Sequence, residues 1–240
     1  MKNIPNSVCV WHGKSKFDNK PIMAIASGLT KPSANRKTGV MIQTYIIRQD
    51  IAPHVAVWEE QDQSVCGDCP MRVNRWKKKG EQNGCYVNLA KEVRGVYESW
   101  QKGNIPCVHA EEFAERQFNV FERPIREGSY GEPSIVPKKV WELLNSTTKD
   151  IGTSYTHMWN KDWYDKSNFE RAMASVESVE GKERANKMGA RTYRVIDSID
   201  ELLPDEIQCP NNYNKAIQCS QCGLCSGGRK NAVNIATIRI

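Results

Sequence analysis

The sequence predicts an α/β fold with a mostly parallel sheet, and three observations carry that prediction. Short apolar segments alternate with short amphipathic ones from about residue 123 to the end. Gly and Pro punctuate the pattern where turns are needed. The number of strand-like segments suits a degenerate, partial TIM-like barrel better than a small open sheet. The expectation is a single α/β domain over residues 1–240, with 1–65 as an N-terminal extension or insertion and a cysteine-rich segment at 206–230. A cysteine-ligated metal site is expected near the strand C-terminal ends, where such folds carry their chemistry.

In chain order, PIMAIAS (21–27) and MIQTYII (41–47) read as buried strands joined by a Pro/Ser/Asn/Gly-rich turn. NLAKEVRGVYESWQKG (88–103) places Leu89, Val93, Val96, Tyr97 and Trp100 at three- and four-residue steps, which predicts an amphipathic helix. HAEEFAERQFNVFE (109–122) predicts another. RPIREGSYG follows as strand and turn, and VPKKVWELLNSTTKD as a helix with Pro137 in its first turn. SYTHMW (154–159) and the core of FERAMASVES (169–178) read as strands. GKERANKMG reads as a short helix stopped by Gly189. RTYRVI (191–196), EIQC (206–209) and NAVNIATIRI (231–240) complete the strands, with a helical turn in IDELLPDE. The strand ends then hold Glu132, His157, Glu177, Arg194 and Cys209. Glu132, His157 and Glu177 are the candidates for acid–base or substrate-binding work.

The chain has 240 residues, a hydrophobic fraction of 39% and seven Trp, enough to build a sizeable core. A net charge of +6 favours contact with a polyanion such as nucleic acid. No apolar run approaches the ~18 residues of a membrane span, and the opening MKNIPNSVCVWHGKSK lacks the apolar centre of a secretory signal. The expectation is a cytoplasmic protein without membrane contact. In that reducing compartment disulfides are rare, and nine cysteines, an odd number, point to metal.

The motif CSQCGLC sets Cys219, Cys222 and Cys225 at every third position, with Cys209-Pro210 upstream. Four thiolates suffice for a zinc site or a 4Fe–4S cluster. A C-x-x-C-x-x-C run gathers three sulfurs around one compact object, which favours the cluster; a zinc staple is the alternative. CGDCP and the following GCY supply Cys66, Cys69 and Cys85, for a second metal or to complete the first. Their fourth ligand is open among Cys107, His109, Cys9 and His12, with Cys107-Val-His109 nearest in sequence. Three thiolates on a cubane would leave one iron open to an outside ligand. The C-x-x-x-C-x-x-C loop of radical enzymes is absent.

Between Cys69 and Cys85, Arg72, Arg75, Lys77, Lys78 and Lys79 surround Trp76. Such a loop can neutralise phosphates and stack a base, or act as a solvated face balancing thiolate charge. G-x-S-x-G, G-x-x-x-x-G-K-[ST] and H-E-x-x-H are absent.

The order CGDCP…GCY, RPIREGSYGEP, SYTHMW, AMASVES, RTYRVI and CP…CSQCGLC resembles cysteine-rich proteins of bacteriophage genomes, from about residue 64 to the end. Some of these look distantly like radical-enzyme barrels lacking the usual cysteine loop. The resemblance implies an iron–sulfur barrel in the cytoplasm of an infected bacterial cell, and no particular activity. Three roles follow as expectations: an iron–sulfur protein acting on or with nucleic acid, a zinc-stapled module binding nucleic acid or a host protein, and an electron-transfer protein.

Overall fold

A computed structural model describes residues 4–72, 84–117, 120–148, 152–227 and 233–239. The protein is mixed α/β. Its strands are β1 (Ser7–Lys14), β2 (Pro21–Ser27), β3 (Ile42–Arg48), β4 (Ile125–Tyr130), β5 (Tyr155–Thr156), β6 (Met173–Val176), β7 (Thr192–Ile196), β8 (Glu206–Gln208) and β9 (Asn234–Ile238). Its helices are α1 (Pro53–Trp58), α2 (Gln63–Cys66), α3 (Arg94–Gln101), α4 (Ala110–Gln117), α5 (Lys138–Asn145), α6 (Val179–Lys187), α7 (Pro210–Tyr213) and α8 (Cys219–Cys222).

β1 to β4 form one sheet in chain order, antiparallel up to β3 and parallel between β3 and β4. β5-β6-β7-β9-β8 form a second sheet, parallel throughout. The ladder continues across the junction: Thr153 N donates to Ile125 O at 2.9 Å, and Glu127 N to Thr153 O at 2.8 Å. Only glycine fits beside that junction. A Cβ on Gly152 would lie 1.6 Å from the Ile125 carbonyl oxygen.

The largest core covers β2, β3 and β4, where Ile22, Ile25, Ile42, Ile46 and Ile125 are fully buried. α5 seals it with Trp141 and Leu144, and Trp141 Nε1 donates to Pro133 O at 2.8 Å. Burying that indole is favourable because its one donor is satisfied. A smaller core of Ala174, Val176, Ala185 and Trp159 holds α6 against β6.

Several elements differ from expectation. β1 was not predicted and lies where sequence patterning gives only an extension or insertion. It forms because Val8, Cys9 and Val10 bury against β2. The predicted strand at 154–159 is shortened to Tyr155–Thr156, where the chain leaves the sheet into a turn in which Lys161 N donates to Met158 O at 3.0 Å. The core of 169–178 pairs as Met173–Val176 after a 3-10 turn, Lys166–Glu170, capped by Asp165. Among the described residues no helix is long and apolar enough to cross a membrane.

Candidate functional site

The central cysteines are set by the turn Cys66-Gly67-Asp68-Cys69. Gly67 follows α2 with φ 57° and ψ −138°, a backbone conformation open essentially to glycine, and the Phe17 ring closes off any side chain there. The chain therefore folds back, and Cys69 N donates to Cys66 O at 3.2 Å. Arg72 straps this turn down. Its guanidinium pairs with buried Asp62 at 2.6 Å and donates to Gly67 O at 3.3 Å. Arg72, expected at a phosphate, is thus engaged within the protein. Arg75, Trp76, Lys77, Lys78 and Lys79 lie outside the described residues.

The turn docks on the C-terminal ends of β5 and β6. Asp68 pairs with Lys161 at 2.5 Å. Cys69 Sγ lies 3.3 Å from His157 Nδ1, and His157 Nε2 lies 2.8 Å from Glu177 Oε1. Glu132 completes the support. Its Oε2 accepts from His157 N at 3.1 Å and its Oε1 from Ser134 N at 3.0 Å. The three expected polar residues therefore do converge. Glu132 holds backbone, and His157 and Glu177 form a chain to a thiol.

Electrostatics follow from this packing. Burial opposes charge on His157, but the Cys69 thiol and Glu177 carboxylate outweigh it and its pKa rises to about 10. Burial pushes the Cys66 thiol well up, helped by Asp62, Cys69 and Cys85 and opposed by Arg72. Cys85 is raised by burial too, with Cys69 adding to it. The three thiols are close enough to act on one another. Cys9, Cys107, His12 and His109 gather elsewhere: Cys9 bridges Cys107 in parallel register, and the two imidazole rings are 6.2 Å apart.

The C-terminal cysteines occupy the other end of the strands. α8 docks on the loop before β3, where Cys219 N donates to Lys37 O at 2.9 Å and Ser220 N to Thr38 O at 3.1 Å. Arg191, just before β7, donates to the carbonyls of Leu224 and Ser226 at 2.8 and 2.6 Å. Cys209 and Cys225 pack with Met173, Tyr155, Tyr193 and Ile235, all at or near the starts of their strands. Burial pushes Cys225 up to about 12; the Tyr155 hydroxyl opposes this, and Cys209, Cys219 and Cys222 add to it. Cys209 thus follows β8 at its C-terminal end, as expected, whereas Cys219 and Cys225 lie against strand starts, opposite to the expected placement. Arg194 is consumed by a buried ion pair with Glu206 at 2.6 Å.

A cavity of about 350 Å³ connects the two groups. Cys219 and Arg126 line one end, and Cys66, Cys69, Cys85 and His157 the other. All nine cysteines are free thiols. Among the described residues no three His, Cys, Asp or Glu side chains are drawn tightly enough together to hold a metal ion. No family model matches this chain, nor does any curated protein or solved structure.

Sequence reasoning named His157 as an acid–base candidate but not as the partner of a central thiol, a place it left open among Cys107, His109, Cys9 and His12. Arg126, inside the strand IREGSY, was missed.

Proposed function

We propose that this protein is a thiolate metalloprotein with two centres bordering one ligand cavity. Cys209, Cys219, Cys222 and Cys225 would hold a 4Fe–4S cluster, and Cys66, Cys69 and Cys85 with His157 a second metal. The observation that carries the reading is the Cys69–His157–Glu177 chain, at 3.3 and 2.8 Å, beside two further thiols. A histidine that ligates metal through one nitrogen commonly gives its other N–H to a carboxylate, which fixes ring and tautomer. Three sulfurs and one nitrogen also form a standard tetrahedral donor set. The thiols are neighbours rather than a closed cage, so the reading requires side-chain rotation as the thiols lose their protons to metal. The partly closed barrel belongs to this proposal and is supported by the ladder that continues from β4 to Thr153.

Anaerobic purification tests it. The expected protein is brown, absorbs near 400 nm, and carries about four irons per cluster. A colourless protein with stoichiometric zinc would leave the staple reading instead. A metal-free protein whose native fold tolerates alkylation of all its cysteines would sink both.

The action on nucleic acid in an infected cell rests on sequence alone, through Arg75, Lys77, Lys78, Lys79 and Trp76. A steep fall of binding with salt is its expected sign. A second reading has the same geometry behind it: Cys69 as a nucleophile, His157 as its base and Glu177 orienting the imidazole. Rapid single-site alkylation of Cys69 in metal-free protein, lost in His157→Gln, would favour it.

A further inference from the structure

We infer that the cavity between the two cysteine groups is a binding site for a small anionic molecule, whose carboxylate or phosphate pairs with Arg126 and whose apolar body reaches toward the central cysteines. Arg126 opens the inner side of β4 and is only 9% exposed. A buried guanidinium is expected to have a carboxylate beside it. Among the described residues Arg126 has none. Its Nη2 donates to the Tyr86 hydroxyl, and its Nε and Nη1 make no hydrogen bond to a described residue. The ionisable groups acting most on its charge are Tyr86, Tyr155, Cys219 and Tyr193. Arg126 lines the cavity, and the second N–H of Nη2 remains to pair with either Nε–H or Nη1–H, an edge that receives a carboxylate or phosphate in two-point fashion. Lys37 lines the same end and adds positive charge.

At the far end the buried Tyr130 lines the cavity, with its hydroxyl set beside the Cys66 thiol. Arg126 and Tyr130 pair with Gln43 and Tyr45 of β3, only two residues apart, because β4 bulges between them, so they are separated by roughly 7 Å along the strand at the usual rise. Tyr155, Tyr193 and Val195 line the length between. A volume of about 350 Å³ falls at the small end of ligand pockets. The site thus suits a small, partly aromatic acid with its charged group at Arg126 and its other end toward Cys66, Cys69 and His157. The inference stands on Arg126 and the cavity and does not require the metal reading.

Calorimetric titration of the protein as isolated, at low salt, tests this with cinnamate, phenyl phosphate and neutral cinnamamide. We expect at least one anion to bind tenfold or more tighter than cinnamamide. The tighter of the two anions identifies the preferred group. In Arg126→Gln the preference should fall below twofold, and Lys37→Gln should lower it two- to threefold. Equal binding of cinnamate and cinnamamide by the wild-type protein, or no saturable binding below 5 mM, would overturn the inference without reference to any variant. So would an intact preference in Arg126→Gln. Loss of bound metal in Arg126→Gln, with no anion preference in wild type, would make Arg126 the counter-charge of the Cys219 group and leave the metal reading standing. Anion preference in metal-free protein would support this inference even where the metal reading fails.

Discussion

The central and C-terminal cysteine groups border one cavity from opposite ends of the strands, and their surroundings differ. The central group stands at strand C-terminal ends among polar side chains: Asp62, Arg72, His157, Glu132 and Glu177. The C-terminal group joins the end of β8, through Cys209, to the starts of neighbouring strands, in an apolar nest of Met173, Ile235, Leu224 and two tyrosines, with Arg191 gripping its carbonyls. A thiol among charged and hydrogen-bonding groups can exchange protons and partners. A thiol among apolar groups has its ionisation suppressed and serves mainly to hold segments together. Burial pushes thiols up in both groups, Cys66 and Cys85 as well as Cys219 and Cys225, so the contrast lies in partners: in the central group Cys69 meets an imidazole backed by a carboxylate.

The strongest way to break that contrast is Cys225→Ser. On the proposed cluster reading, loss of this ligand should collapse both iron content and soluble yield, because metal binding at a structural site is coupled to folding. On the same reading Cys69→Ser should leave iron at the C-terminal cysteines. Equal iron loss in the two variants, by elemental analysis, would erase the distinction.

Next in size is the joint between the two sheets. Gly152→Ala drives a methyl into the Ile125 carbonyl, which is already hydrogen-bonded to Thr153, so neither side can yield. A loss of about 3 kcal/mol is expected from urea denaturation. A loss under about 1 kcal/mol would mean the junction is not fixed as described.

Glu177→Gln sharpens the comparison more gently. It should lower metal affinity at the central group by about 10- to 100-fold and leave the C-terminal group unchanged. Competition with a chromophoric chelator would measure both. Unchanged affinity would remove Glu177 from the site.

The smallest effect lies outside both groups. Arg48 hydrogen-bonds Asp50 and holds its pKa below the usual carboxylate range. The pair's stabilisation is present above the unfolded-state pKa and is lost as pH falls through the folded one. Because Asp50 is 45% exposed, Asp50→Asn should cost less than about 1 kcal/mol at neutral pH and nothing at pH 2. A pH-independent loss in thermal melts would contradict this.

Much of the fold was legible in residue patterning. Helices near 89–101, 110–117 and 138–145 and the strands around 22–27, 42–47, 125–130 and 192–196 fall where apolar spacing placed them. Strand edges were less legible, because Asp165 capping and the short parallel pairing of β5 and β6 trim segments that look longer. Of the site, the cysteine spacings and the trio Glu132, His157 and Glu177 were visible as strand-end residues. Their partners were not. Arg72 looked like a phosphate contact until Asp62 was seen to hold it.

The amino-acid order by itself determined the alternation of strand and helix and the tight cysteine turns, since these depend on side chains a few residues apart. Tertiary structure alone decided that Cys69 meets a histidine 88 residues away, that Cys219 docks beside Lys37, and that Arg126 lines a cavity with no carboxylate paired to it among the described residues. Those facts follow from which strands pair and at which end each loop emerges, and local spacing carries no information about either.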